Sequence, residues 1–335
     1  MPDHATDDEA RQFAASFRSF LDWVHDGDQE SRERNPVAAL VAGFLGPEAA
    51  AHSVVGRDLP PFEHVNLQTA IDAWSACDGR AVDVRGVLLP QHFRLDLQQI
   101  VTGDGLPPVR LTAPALIDLP NGPGTTLGCL RLALLLVGDD RGRYVLLVQN
   151  PSEHQSALQV EVAGLPVGAA QAVLGELDQL RAELNVYRGH LLDVTLGPMG
   201  GIHLAFAARP GLSRRDVVLP EAVLGRVERH ALGVAAHRSA LLAAGQHLKR
   251  GLLLYGPPGT GKTHTTRYLL GQMTGYTRLV LTGRALMGVG AITEMARDLQ
   301  PSVVVLEDVD LVAEDRSMGP RSSPVLFDLL DAMDG

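Results

Sequence analysis

The string G-P-P-G-T-G-K-T at residues 256–263 constrains this chain more than any other stretch. It matches G-x-x-x-x-G-K-[ST] in full and directly follows the apolar run GLLLY at 251–255. A short apolar run bounded by Lys249-Arg250 and a Gly-Pro turn reads as a strand buried on both faces of a parallel sheet. The residues that follow, as far as Gln272, read as a helix. In that order the glycines let the backbone curl, so that successive N–H groups face phosphate oxygens and the positive end of the helix dipole faces the same charge. Lys262 then reaches the β- and γ-phosphates as a compact point charge, and Thr263 offers its hydroxyl to Mg²⁺. Of the 29 basic residues only Lys249 and Lys262 are lysine. A chain that elsewhere uses arginine thus places a lysine where a planar guanidinium does not fit equivalently. Lys249 has no such role and reads as a surface charge. Glycine-rich turns after strands are common; the full motif, its context and the lysine together outweigh that reading.

Downstream, residues 302–310 read S-V-V-V-L-E-D-V-D, a β-branched strand that ends in carboxylates. Ligands of open α/β sheets bind outside the carboxyl ends of the strands, so Glu307 and Asp308 are expected beside the phosphates. One acid is expected on the metal side and the next on the attacking water. ATP and Mg²⁺ are therefore the expected cofactors.

The remainder of the chain narrows the partners. Formal net charge is −10, which provides no basic footprint for nucleic acid or an anionic lipid surface. No stretch approaches the roughly eighteen uninterrupted apolar residues of a membrane span, so neither nucleic acid nor membrane is expected as a partner, and the chain reads as cytoplasmic. Cys77 and Cys129 have no C-x-x-C spacing and both read as buried reduced thiols.

Residues 8–25 carry Phe13, Phe17, Phe20, Leu21 and Val24 at helical spacing, a stripe read as packing rather than as a docking helix. A polar run at 26–34 and a second helix at 36–45, closed by Gly46 and Pro47, complete a helical arm over 1–56. Over 57–210 the pattern turns to short β-rich runs. Strands are expected at 82–89, 109–119, 130–137, 144–148 and 202–207, a hairpin turn at 138–142 and a helix at 168–186, which together make an α+β domain. It contains no G-x-S-x-G, no H-E-x-x-H and no paired Cys/His ligands, and His190 and His203 read as ordinary hydrogen-bonding side chains. Residues 211–219 read as a linker and 220–335 as the nucleotide-binding part.

The strings KRGLLLYGPPGTGKT at 249–263, the strand with its acids at 303–308, and LLDAMDG at 329–335 resemble the core of the AAA family of ring-forming ATPases. The resemblance covers about 219–335. It implies an α/β P-loop NTPase with flanking helices, preceded here by the α+β domain and the short helical arm. It also implies a nucleotide site made by Gly256, Pro257, Pro258, Gly259, Thr260, Gly261, Lys262, Thr263 and His264, with Leu232 and Gly233 near the adenine. ATP hydrolysis, coupled to protein remodelling in a homo-oligomeric, hexameric ring, is the implied activity, and the client is unspecified. Two departures stand out. The family usually ends this strand Asp-Glu, whereas here the order is Glu307-Asp308, so roles go by position: Glu307 on the metal with Thr263, Asp308 on water. The segment TGRALMGVGA at 282–291 resembles a pore loop, with Leu286 where an aromatic is usual. In the family's strand order 5-1-4-3-2, residues 252–255, 278–282 and 303–306 supply strands 1, 2 and 3. Neither neighbour of the P-loop strand is among them, so the parallel sheet is expected to be incomplete and the chain as it stands to turn over little ATP. The alternative reading is a nucleotide-holding fragment or binding module without turnover.

Overall fold

The fold is taken from a computed structural model, which describes residues 35–90, 93–103, 106, 109–150, 157–197, 201–307 and 309. The helix expected at 8–25, the acid Asp308 and the segment 329–335 lie outside the described residues. The chain divides into two units: residues up to Asp118 with Gly128–Leu184, and Leu119–Leu127 with Asn185–Gly335.

In the first unit, α1 (Pro36–Ala50) starts at Asn35, whose side chain accepts from the Val37 and Ala38 amides at 3.0 and 3.3 Å. The helix breaks where expected, at Gly46 with φ 74° before Pro47. Then follow β1 (Val55–Leu59), α2 (His64–Ser75), β2 (Ala81–Leu88), α3 (Leu97–Thr102), β3 (Arg110–Thr112), the hairpin of β4 (Leu116–Gly122) and β5 (Thr125–Leu130), whose residues Leu119–Leu127 count with the second unit, β6 (Leu132–Asp139), β7 (Gly142–Gln149), β8 (Leu158–Ala163) and α4 (Val167–Glu183). Six strands pair in the order β1-β8-β7-β6-β2-β3, all antiparallel, and β4 pairs with β5. The β6–β7 turn lies at Asp140-Arg141, inside the expected hairpin. The single strand expected at 109–119 is two, because Pro114 has no N–H for a ladder. Beside that break, the Ala113 carbonyl lies 2.2 Å from where a Cβ on Gly86 would stand, so only glycine fits in β2 there.

The sheet is covered on both faces. Leu135, Val137, Leu146 and Val148 pack with Ile71 and Trp74 of α2 and Val173 and Leu177 of α4. Leu134, Leu136, Val145 and Leu147 pack with Val37 and Val41 of α1 and Leu97 and Ile100 of α3. Double cover explains why β6 is apolar at successive positions rather than alternating. It also corrects the helical arm: α1 is a layer of this unit, and a boundary at 56 would remove Val37, Val41 and Leu45 from one core. Cys129 is buried as expected, whereas Cys77 is exposed just after α2. At one end of the sheet Asp139 accepts from the Tyr144 hydroxyl at 2.7 Å and from Arg80 at 3.3 Å. Glu176 accepts from Trp74 Nε1 at 3.0 Å, from Arg80 at 3.3 Å and from Arg141.

The second unit contains β9 (Leu191–Leu196), β10 (Ile202–Phe206), α5 (Glu221–Ala236), α6 (Arg238–Ala243), α7 (Lys262–Gln272), β11 (Thr277–Leu281), α8 (Val289–Asp298) and β12 (Ser302–Leu306). Its sheet runs β10-β9-β11-β12. β9, β11 and β12 are parallel, and β10 is antiparallel to β9. Residues 185–210, assigned from sequence to the preceding domain, therefore belong to the sheet of the second unit, because β9 takes the free edge of β11 from Arg278↔Leu191 to Leu281↔Val194. Residues 251–255 form no strand, contrary to the sequence expectation. Both edges of β11 are taken, and no described strand pairs with the run, so its backbone has no ladder to join. No helix among the described residues is long and apolar enough to cross a membrane.

Candidate nucleotide site

The loop 256–261 is built on three glycines in the left-handed half of conformational space, Gly256 at φ 153°, Gly259 at 79° and Gly261 at 86°. A side chain at any of them would strain the backbone. Thr260 closes the turn, its hydroxyl donating to the Pro257 carbonyl at 2.9 Å. Lys262 bends back over the same loop, and Nζ donates to the carbonyls of Gly256 at 2.8 Å and Pro257 at 3.1 Å. The sequence motif thus places an ammonium group at the mouth of a curled backbone.

Helix α7 begins at Lys262, and the first amide bond back to the loop is Thr265 N to Gly261 O at 2.8 Å. The amides of Lys262, Thr263 and His264 precede that bond, and Gly261 has no side chain to cap them, which leaves the helix end suited to an anion. The Thr265 and Thr266 hydroxyls are returned to backbone carbonyls at 2.9 and 3.1 Å. Thr263 is exposed, and its hydroxyl is not tied down in this way.

His264 ties the first turn of α7 to the linker through Nε2, 2.9 Å from the Asp216 carbonyl. The linker is itself held. Ser213 and Asp216 cap one another, and Arg214 reaches Glu221 at 2.6 Å and Glu228 at 3.0 Å on α5. The Ser213 hydroxyl and amide hold the Asp216 carboxyl below its usual range. The Tyr268 hydroxyl donates to Glu228 at 2.6 Å; burial and that carboxylate push the phenol up to about 12, so it stays a donor. Underneath lies an apolar cluster of Val217, Leu224, Val227, Tyr268 and Leu269. Residues 211–219 are therefore a bound strap rather than a free linker. Nothing at fixed spacing announces this network, since Arg214, Glu228 and Tyr268 meet only in the fold.

The other expected residues fall as follows. Leu232 packs against that cluster. Gly233 lies on α5 with open space where a Cβ would stand, and its carbonyl accepts the His237 amide at 3.0 Å. Glu307 directly follows β12, half-buried, and its amide donates to the Leu281 carbonyl at 3.0 Å, which sets it at the carboxyl ends of two parallel strands. Leu286 is buried, whereas Met287 beside it is 63% exposed, so Leu286 does not project from the loop as the pore-loop likeness implied. The turn Gly283–Gly288 folds Leu286 inward.

With this geometry in view, residues 252–335 match the family model described as ATPase family associated with various cellular activities (AAA). This segment resembles the AAA ATPases. The ATPase family gene 2 protein of Saccharomyces cerevisiae is 28% identical over 159 residues, 41% of this chain and 20% of that protein. The ATP-dependent zinc metalloprotease FtsH of Rhodococcus erythropolis is 34% identical over 107 residues, 28% of this chain and 12% of its own length. FtsH of Mycobacterium tuberculosis is 33% identical over 107 residues, 28% of this chain and 14% of its own. The matches thus span a fifth or less of these curated relatives. The AAA likeness supports ATPase chemistry in general and implies a P-loop NTPase fold for the segment.

The side chains present fit ATP and Mg²⁺. A loop curled on three positive-φ glycines, an ammonium group at its mouth and an uncommitted threonine hydroxyl are a set that a polyphosphate and a hard cation can use.

Proposed function

We propose that this chain binds ATP with Mg²⁺ at residues 256–264 and Glu307 and contributes the nucleotide-binding half of an AAA-type ATPase that works as a ring on protein clients. One observation carries the reading: Lys262 stands folded over the carbonyls of a loop whose three glycines have positive φ, at the first residue of α7. Those two bonds are to neutral carbonyls, and exchange for phosphate oxygens gives the ammonium a full counter-charge in place of two carbonyl dipoles. The curled amides orient the phosphates, and Leu232 and Gly233 lie on the helix assigned to the adenine side. Thr263 and Glu307 would hold Mg²⁺, which when bound neutralises charge on the β- and γ-oxygens. Asp308, assigned by position in the sequence, orients or deprotonates the attacking water.

The relatives named zinc metalloproteases do not transfer that activity, because this chain has no H-E-x-x-H. Titration with a fluorescent ATP analogue tests the binding step. Lys262→Ala is expected to lose roughly a hundredfold or more in affinity, with Lys262→Arg close behind; an unchanged dissociation constant would sink the assignment. Within an assembly that turns over ATP, Asp308→Asn is expected to keep binding and lose about a hundredfold in turnover, whereas Glu307→Gln should weaken the Mg²⁺-dependent binding. Reversed phenotypes would overturn the positional roles.

A further inference from the structure

The carboxyl end of α7 carries contacts that the phosphate site does not require. Arg209, at the exit of the β9–β10 hairpin, donates from Nε and Nη2 to the Gly271 carbonyl at 3.1 and 2.7 Å. Arg278, on β11, donates from Nη1 to the Leu270 carbonyl at 3.0 Å and from Nη2 to the Gly189 carbonyl at 2.9 Å. Arg278 is buried, and among the described residues it forms no ion pair. A buried guanidinium ordinarily requires a carboxylate. Here its counter-charge is the negative end of the helix dipole, equivalent to about half an elementary charge. The approach is close as well as charged: a Cβ on Gly271 would come within 2.9 Å of the Pro210 carbonyl.

We infer that Arg209 and Arg278 are positioning residues for the nucleotide: they clamp the far end of α7 to the β9–β11 sheet and so fix the near end, where Lys262 and Thr263 stand. The helix has 11 residues, about 16 Å of rigid rod, so a tilt at Gly271 is delivered to the loop amides. Burial, and then the neighbouring Arg209, hold the Arg278 guanidinium below its usual range, so the cation stands there at an electrostatic cost against which its bonds to the carbonyls work. Arg209 lies outside the stretch matched by the family model and Gly271 and Arg278 inside it, so the two bonds from Arg209 to the Gly271 carbonyl join the hairpin to the matched helix.

The inference rests on the ATP reading above, and the test separates the two. The full chain is titrated with a fluorescent ATP analogue as wild type, Arg209→Ala, Arg209→Lys, Gly271→Ala and Ile292→Val, with a thermal melt of each. Arg209→Ala and Gly271→Ala are expected to weaken binding roughly three- to tenfold, the latter although alanine favours helix. Arg209→Lys, which retains a cation and one donor at the carbonyl, is expected to recover most of the loss. Ile292→Val, a fully buried truncation in α8, is expected to lower the melt and leave affinity unchanged. Arg209→Ala within twofold of wild type, or Ile292→Val weakening binding as much as Arg209→Ala, overturns the clamp alone. Wild type that fails to bind overturns the ATP reading and the clamp with it.

Discussion

Leu135 and Leu253 stand in apolar runs of the same character, yet Leu135 has no exposed surface and Leu253 keeps 81% of its own. Both runs ask for cover on two faces. The run containing Leu135 finds it, because β2 and β7 flank β6 and helices lie on each side. The run 251–255 pairs with no described strand, and Tyr255 is 89% exposed. Apolar sequence thus states a demand for burial, and partners elsewhere decide whether it is met.

The sharpest way to break this comparison is the same truncation in both runs. Leu135→Ala is expected to cost about 2–5 kcal/mol, and Leu253→Ala to stay within about 0.5 kcal/mol, as read by urea unfolding of the full chain. Equal costs would show that 251–255 is covered in solution. Next in size is the polar end of the first unit. Burial pushes the Asp139 carboxyl up, but the bonds from Tyr144, the Arg141 amide and Arg80 outweigh it and hold the group below the usual carboxylate range. Glu176 behaves alike under Arg141 and Trp74. A folded value below the unfolded one, near 4, means stabilisation that is present above about pH 4 and lost as pH falls through the folded value. Asp139→Asn is expected to cost about 1–3 kcal/mol at neutral pH and to flatten the acid limb of a stability–pH curve; an unchanged acid limb would remove Asp139 from the account.

The smallest effect has the opposite sign. Glu161, on β8, accepts the Leu97 amide at 2.8 Å, yet burial chiefly, then Asp96 and Asp58, raise its carboxyl. With the folded value above the unfolded one, the charged form costs stability at neutral pH, and the cost fades as pH falls through the folded value. Glu161→Gln keeps the acceptor and should leave stability equal or up to about 1 kcal/mol higher at neutral pH. Calorimetry at neutral and mildly acidic pH checks it, and a destabilised variant would mean that the covered sheet needs this charge.

The glycine turn before α7 was legible because Gly256, Gly259, Gly261, Lys262 and Thr263 lie in one short run, and the β6–β7 hairpin because its turn residues lie between two apolar runs. The strand β1 was missed: its sequence VGRDL has little apolar signal, and it forms by pairing with β8 a hundred residues away. The same distance hid the boundary. Leu191 pairs with Arg278, and no local pattern tells a strand which sheet it will join. The place of Glu307 at the end of β12 followed from the β-branched run before it. The clamp of Arg209 and Arg278 left no trace, since an arginine that binds a backbone carbonyl looks in sequence like any surface arginine.

The hairpin beside β11 also sets where this chain can be recombined. Judged by sequence, an amino-terminal unit exchanged by gene fusion or shuffling separates at 210/211, or where the family-model match begins at 252. Either junction leaves β9 with the departing half and strips β11 of a neighbour from Arg278 to Leu281. The transplanted half would then present a bare parallel edge, a template for pairing with other chains. A graft spliced between Leu184 and Asn185 keeps β9 beside β11 and β10 beside β9.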